Sequence, residues 1–272
     1  NPRAAVSFGY TFTDGAGETL DWLCANGPVE DPSGRLVMRA VKLYIDGAMG
    51  IRGAALLADY ADDSGNSGLL FMAPDELQAQ VEKALACGFQ VGVHAIGDAG
   101  NRESLDFLDL VMKDSARARD GRHRIEHAQV VSPQDIPRFA SMRVIASMEP
   151  PHAVEDKGWA EARVGAERIA GAYAWRTLRR AGARLIFNSD LTGSDHDIFY
   201  GLHSAITRQD KNREPAGGWY PDQVMTPEEA VRGYSTWAAY AAFAEAEAGQ
   251  IAAGRLADLT ALAARPRVVA IG

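Results

Sequence analysis

The chain has 272 residues, with 28 lysines and arginines against 36 aspartates and glutamates, which gives a formal net charge of −8. Hydrophobic residues make up 47% of the chain and charged residues 24%, so the composition is that of a globular protein and excludes a disordered one. An acidic pI near 5.3 argues against a nucleic-acid-binding protein, and no apolar run approaches the roughly 18 residues of a membrane span. The two cysteines, Cys24 and Cys87, are too few for a disulfide framework, so a reducing, cytoplasmic compartment is expected.

Both ends of the sequence resemble cuts through a longer protein. Asn1 to Asp14 is typical of a loop, and Val268–Gly272 ends without a helix cap or a polar tail. No basic segment followed by an apolar one marks a signal peptide. We therefore expect the chain to be a portion of a longer protein, whose missing N-terminal half, or a second copy of the chain, would cover the exposed edge.

Short apolar runs alternate with longer amphipathic segments from Leu36 onward. The runs are rich in Val, Ile, Leu and Phe on both faces, which is typical of buried parallel strands. The predicted strands are Leu36–Tyr44, Gln90–His94, Arg122–His127, Arg143–Met148 and Arg184–Asn188. Because helices are predicted between them, the sequence indicates an α/β fold with a parallel sheet.

The predicted helices carry recognisable start and stop signals. Proline and acidic residues mark the starts at Pro74 and Thr226, and glycine marks several ends. The predicted helices are 74–86, Asn101–Lys113, Ser132–Ala140, Val164–Ala181, Ile198–Arg208 and an Ala-rich helix from Thr226 to about Ala246. Residues 249–272 contain short β-like pieces and are predicted to begin a second, smaller domain.

Polar residues follow all five predicted strands at or near the point where each strand ends. In order along the chain they are Lys42, His94, His127, Glu149 with His152, and Asp190. In parallel α/β folds, ligands bind at the carboxyl ends of the strands. Five successive strand ends with such residues therefore indicate a functional site.

Each of these residues also has an ordinary explanation when it is taken alone. A histidine at a strand end is commonly a hydrogen-bonded structural residue, Asp190 can cap the following helix, and Lys42 can extend to solvent. Taken together they favour a metal site, because neutral imidazoles and a carboxylate suit Zn²⁺ and related divalent ions. His123 is predicted to lie at the surface.

The remaining candidates have more specific roles. Lys42, if buried, must lose its charge or find a partner, and carbamylation by CO₂ would make it an anionic ligand able to bridge two metal ions. Glu149 ends an apolar strand and also needs a partner. His152 follows two prolines that fix it near the strand ends, so both residues are predicted substrate contacts.

Four motifs together resemble the amidohydrolase superfamily, and within it the YtcJ-like metal-dependent hydrolases. They are Val41-Lys42-Leu43-Tyr44-Ile45-Asp46-Gly47-Ala48-Met49-Gly50, His94-Ala95-Ile96-Gly97-Asp98, Arg124-Ile125-Glu126-His127-Ala128-Gln129 and Asn188-Ser189-Asp190. The tail from Gly249 to Leu259 resembles the superfamily's connection from the barrel to a small β-sandwich.

The resemblance implies a (β/α)₈ TIM barrel, of which residues 1–248 would supply the last five βα units, while residues 249–272 would begin the β-sandwich. It also implies one or two divalent metal ions, usually zinc. By motif, the ligands would be Lys42 as the carboxylated lysine, His94, His127 and Asp190. Asp190 would also take the proton from the attacking water.

Two departures from the family pattern matter. The chain contains no His-x-His pair, which the family carries on its first strand, and Asn188 stands where members commonly have glycine. The leading hypothesis is a hydrolase of non-peptide amide or cyclic amide C–N bonds in a small-molecule substrate. The alternatives are a catalytically incomplete fragment and a mononuclear deaminase or esterase on the same scaffold.

Overall fold

A computed structural model describes residues 4–9, 16–32, 36–113, 115–191 and 193–260, with the backbone alone at 4–9, 16–18 and 117. Within these residues seven strands form one sheet. The strands are β1 (Ala4–Gly9), β2 (Val29–Glu30), β3 (Leu36–Tyr44), β4 (Gln90–Ala95), β5 (Arg124–His127), β6 (Ile145–Met148) and β7 (Arg184–Phe187).

The sheet is parallel except at one short strand. Neighbouring strands follow the order β1-β3-β4-β5-β6-β7, each pair parallel, and β2 alone pairs antiparallel with β3. Helices connect successive strands from β3 to β7, as parallel neighbours require. This confirms the predicted α/β fold with a parallel sheet and agrees with a part of a (β/α)₈ barrel.

The sheet contains one more parallel strand than the sequence predicted. Ala4–Gly9 pairs with β3 along its length, although Asn1 to Asp14 was predicted to be a loop. Four of its six residues are apolar, and its parallel pairing with β3 adds it to the sheet. With β2, the sheet has seven strands where five were predicted. Residues 1–3 and 10–14 of the predicted loop lie outside the described residues.

Eleven α-helices of very different lengths surround the sheet in the described part of the chain. They are α1 (Ala16–Asn26), α2 (Pro74–Ala86), α3 (Asp98–Lys113), α4 (Ala116–Arg119), α5 (Ile136–Ser141), α6 (Pro150–Glu155), α7 (Ala160–Arg168), α8 (Trp175–Arg180), α9 (Ile198–Thr207), α10 (Pro227–Tyr234) and α11 (Thr236–Ala241). None of these helices has both the length and the apolar composition that a membrane span needs.

Two predicted long helices are interrupted. The predicted helix Val164–Ala181 is divided into α7 and α8, and Tyr173, with a left-handed φ of 50°, lies between them. Gly165 kinks α7 itself, with φ and ψ of 80° and 163°. The predicted helix from Thr226 to Ala246 begins with a complete capping box but breaks at Ser235, whose φ and ψ are −130° and −88°. A composition that favours a helix over a long segment therefore did not reveal either helix break.

The predicted second domain remains a prediction. Residues 249–260 form turns and irregular backbone without a strand, and residues 261–272 lie outside the described part of the chain. The division at residues 248 and 249 is therefore untested.

The two faces of the sheet have different chemistry. Side chains of a strand alternate between faces, and one face consists of buried apolar residues that join the hydrophobic core. On the other face the strand register places Tyr44, His94, Glu126 and Ser147 side by side across β3 to β6. Of the predicted site residues, Lys42 and His94 therefore project from this face of the sheet, since Lys42 is two residues before Tyr44.

The two cysteines form a disulfide between Cys24 in α1 and Cys87 at the end of α2, 63 residues apart. The sequence had been interpreted through cysteine number alone, which favoured a reducing compartment. A single disulfide needs only two cysteines. The small number of cysteines was therefore not a sufficient argument for a reducing compartment.

His123 is buried, and the prediction that it lies at the surface was wrong. Only 2% of its surface is exposed, its Nδ1 accepts from the Val91 N–H at 3.1 Å, and its Nε2 is 2.8 Å from the Ala118 carbonyl oxygen. Burial lowers the pKa of His123 to about 4, although the hydrogen bond to Ala118 opposes the shift. The neutral His123 ring, directly before β5, therefore links that strand to β4 and α4.

We expect the free energy of unfolding to decrease as the pH falls from about 6.5 to about 4, by about 3 kcal/mol, because of His123 alone. In this range the unfolded chain binds a proton at His123 and the folded chain does not. Above pH 6.5 the contribution is fully present, so the loss appears only on acidification. Other groups titrate here as well, so the measured quantity is the difference in urea midpoint between wild type and His123→Gln at each pH. Parallel curves for the two proteins would contradict the assignment.

Candidate metal centre

Three histidine rings lie together at the carboxyl ends of the strands. His94 is in β4, His127 ends β5 and His152 lies in the first turn of α6. The His94 and His127 rings meet edge to face with centroids 4.5 Å apart, and the His127 and His152 rings stack at 5.9 Å. Their nitrogens therefore converge on one region.

Glu149 fixes the orientation of His127. The Nδ1–H of His127 donates to Glu149 Oε2 at 3.0 Å, which leaves Nε2 free to bind a ligand. Burial opposes charge on both side chains, but the ion pair prevails, so the pKa of His127 is raised and that of Glu149 is lowered. A carboxylate that holds the far nitrogen of a histidine is the usual partner of a metal-binding imidazole.

His152 and Asp190 complete a group of three donors. His152 Nε2 is 3.8 Å from Asp190 Oδ2, and His152 Nδ1 is 3.5 Å from Glu149 Oε2. One ligand atom from each of His127, His152 and Asp190 lies within 4.8 Å of the other two. This spacing allows all three atoms to bind one ion after small adjustments.

Asp190 lies in a tight turn after β7. Its φ is 46°, and its backbone N–H donates to the side-chain Oδ1 of Asn188 at 2.8 Å. A Cβ on Gly193 would be only 2.6 Å from Asp190 Oδ2. The turn therefore holds the Asp190 carboxylate against the backbone of residue 193.

His94 has a buried nitrogen without a hydrogen bond. No described residue forms a hydrogen bond with its Nε2, and Oδ1 of Asp46 lies 3.6 Å from it. Burial, with the charges of His127 and Lys42, lowers the pKa of His94 to about 2, so the ring is neutral at neutral pH. A neutral imidazole nitrogen without a partner has the chemistry of a metal ligand.

Asp46 belongs to the site although the sequence analysis did not select it. Its carboxylate is fully buried and accepts from the backbone N–H groups of Ala55, Ile96 and Gly97 at 2.8–3.0 Å. Burial raises the pKa of Asp46 to about 7, although these hydrogen bonds oppose the shift. The signal that could have revealed it is an acid followed by glycine directly after an apolar strand.

Lys42 lies against the ring of Tyr44. Its half-buried side chain places Nζ 4.8 Å from the centre of the Tyr44 ring, and that ring lies 5.0 Å from the His94 ring. Of the predicted site residues, the structure thus brings His127, His152 and Asp190 together with Glu149, places His94 next to them and leaves Lys42 against Tyr44. The assigned roles of these residues remain predictions.

A model of the amidohydrolase family matches residues 5–270 of this sequence. The chain belongs to the amidohydrolase family. It is 32% identical over 228 residues to the protein LONG AFTER FAR-RED 3 of Arabidopsis thaliana and 31% identical over 228 residues to YtcJ of Bacillus subtilis (strain 168). Each match covers 84% of this chain, which spans only 39% and 42% of the two relatives.

Solved structures agree with the family assignment. An uncharacterized metal-dependent hydrolase from Pyrococcus horikoshii OT3 superposes with a TM-score of 0.76 at 30% identity, over 86% of this chain and 46% of that one. The predicted resemblance to YtcJ-like amidohydrolases is therefore confirmed, and the shared architecture covers most of the chain.

Proposed function

We propose that the chain carries the metal-binding strands of a hydrolase that cleaves non-peptide amide or cyclic amide C–N bonds. The convergence of His127, His152 and Asp190 at the carboxyl ends of parallel strands carries this proposal. Membership of the amidohydrolase family supports hydrolysis as the reaction class.

The donors fit a divalent metal ion such as zinc. Two imidazole nitrogens and a carboxylate oxygen form a ligand set that Zn²⁺ accepts, and Glu149 supplies the outer carboxylate that such a set needs. The buried Nε2 of His94 adds a fourth donor at the edge of the group. Lys42, as a carbamate formed with CO₂, would allow a second ion to bind.

Hydrolysis needs an activated water and a proton for the leaving nitrogen. A divalent metal supplies Lewis acidity, which lowers the pKa of a water and polarises the carbonyl group. The Asp190 carboxylate would take the proton of the attacking water and pass it to the leaving nitrogen as the C–N bond breaks. The products are a carboxylic acid and an amine, and Glu149 keeps His127 in place throughout.

A mononuclear deaminase or esterase is the second candidate. The observation that favours it is the contact of the Lys42 ammonium group with the ring of Tyr44, which engages Lys42 as an unmodified cation. The two candidates differ in metal stoichiometry and in the state of Lys42. Two ions with a CO₂ adduct on Lys42 would support amide hydrolysis, whereas one ion with unmodified Lys42 would support the second candidate.

We expect the purified protein to bind one or two zinc-type ions per chain, and His127→Ala and Asp190→Ala to abolish binding, because each removes a donor from the group. Elemental analysis after dialysis measures this directly. His203→Ala is the matched control, since His203 contacts the Asp210 carbonyl and Thr207, away from the three donors. Absence of metal from the wild type, or retention of metal by both variants, would contradict the proposed function.

A further inference from the structure

Asn188 is the first residue after β7, and its side-chain amide is fully used. Its Nδ2 donates to Glu149 Oε1 at 2.7 Å and to Ser147 Oγ at 3.0 Å. Its Oδ1 accepts from the backbone N–H of Asp190 at 2.8 Å. One amide group therefore connects β6, the residue that orients His127, and the turn that carries Asp190.

The contact with Glu149 determines the direction of the His127 ring. Glu149 is 5% exposed, and its two oxygens have separate partners, Asn188 on Oε1 and His127 on Oε2. Without the Asn188 amide, Oε1 of Glu149 would lose a hydrogen-bond donor in a buried site, and the Glu149 carboxylate would be free to rotate. His127 would then lose the fixed acceptor that directs its Nε2.

The contact with Asp190 determines the shape of the following turn. Asp190 has a left-handed backbone, which is uncommon for a residue with a side chain and is held only when its surroundings fix it. The hydrogen bond from its N–H to Asn188 Oδ1 supplies such a restraint. The same turn places Oδ2 of Asp190 opposite His152.

We infer that Asn188 is a positioning residue that holds two metal ligands, His127 through Glu149 and Asp190 through its backbone. The inference rests on the proposed function, because it assumes that these residues bind metal. Glycine is the common residue at this position in the family that the sequence resembles. It has no side chain and could contact neither Glu149 nor the Asp190 N–H in this way. Asn188 thus restrains two of the three donors, His127 and Asp190.

The test is the affinity of the purified protein for Co²⁺, measured by competition with a chelator, together with the visible spectrum of the Co²⁺-loaded protein. Asn188→Gly is expected to weaken binding about 10- to 100-fold and to change the spectrum, as loss of an outer-shell contact does. Asn66→Gly is the matched control. Asn66 also accepts from the N–H two residues ahead and donates to a carboxylate, Asp63, but that carboxylate lies outside the candidate metal centre.

A double variant shows whether Asn188 acts through Glu149. Adding Asn188→Gly to Glu149→Ala should weaken Co²⁺ binding less than Asn188→Gly weakens the wild type, because only the contact with the Asp190 backbone is then left to lose. Equal effects in the two backgrounds would overturn the inference, as would equal losses in Asn188→Gly and Asn66→Gly. Unchanged Co²⁺ binding in Asn188→Gly would overturn the inference alone. Failure of the wild type to bind Co²⁺ would overturn the proposed function and the inference with it.

Discussion

Asp190→Asn is expected to lower kcat for amide hydrolysis by about 10²- to 10⁴-fold, the usual contribution of a general base and acid. An asparagine keeps an oxygen at the position of Oδ1 or Oδ2 but cannot take a proton from water. Proton transfer to the leaving nitrogen is lost for the same reason. Binding of substrate depends less on this proton, so KM should change far less than kcat.

The geometry around Asp190 supports this separation of effects. Its carboxylate is about 39% exposed, so one side faces the open end of the strands while the other faces His152 at 3.8 Å. Substrate and water can therefore reach the carboxylate that we propose as the proton acceptor. The backbone contact to Asn188 and the close fit to Gly193 do not depend on the charge, so the variant should fold normally.

Asp195→Asn is the matched control for this experiment, because it makes the same chemical change five residues further along the same connection. Asp195 forms an ion pair with Lys211 and accepts from the N–H of Asp197. We expect its kcat to stay within about twofold of the wild type, as for other exposed ion pairs. Metal content is measured in both variants, so that loss of the ion is distinguished from loss of the proton acceptor. An Asp190→Asn enzyme with wild-type kcat would show that another group moves the proton.

The strands and the location of the site could be predicted because both follow from short-range patterns. Short apolar runs between helical segments predicted β3 to β7, and the carboxyl ends of parallel strands must lie at one edge. Lys42, His94, His127 and Asp190 were therefore selected by position alone. The resemblance of the motifs added the roles of these residues but did not change where they lie.

The contacts among these residues could not be predicted, because they depend on the tertiary packing of distant segments. His152 joins His127 and Asp190 only because α6 begins at Pro150 and leads back over the ends of β5 and β7. Asn188 had been noted only as a departure from the resembling family. Its side chain acquires a function when β6 and β7 lie side by side and bring Glu149 within reach.

The helix breaks were missed for a different reason. Residues 164–181 favour a helix except at Gly165 and Gly171, and Tyr173 adopts a left-handed backbone with φ of 50°. Its carbonyl oxygen accepts from the buried Arg208 and its hydroxyl donates to Asp156. Contacts with residues far along the chain thus override the local helix preference. Such contacts cannot be predicted from the segment alone.

The connection between β4 and α3 approaches the loop around Ala55 too closely to allow a side chain at Gly97. A Cβ there would lie 1.8 Å from the Ala55 carbonyl oxygen and 2.8 Å from its nitrogen. Both are backbone atoms, so the loop itself would have to move by more than an ångström. The Ala55 carbonyl oxygen accepts from the N–H groups of Ala99 and Gly100, and the Ala55 N–H donates to Asp46, so that movement would break several buried hydrogen bonds at once.

Gly97→Ala is therefore expected to lower the free energy of unfolding by about 4 kcal/mol or more, from overpacking together with unsatisfied buried groups. The measurement is the urea midpoint, compared with Gly158→Ala, where no atom lies within 4 Å of the added methyl group. Gly158→Ala should leave the midpoint nearly unchanged, since neither glycine has a left-handed backbone and the two differ in available space. Equal urea midpoints for the two variants would show that the loop around Ala55 moves without loss of stability. In that case Asp46 would not fix the backbone next to His94 in the candidate metal centre.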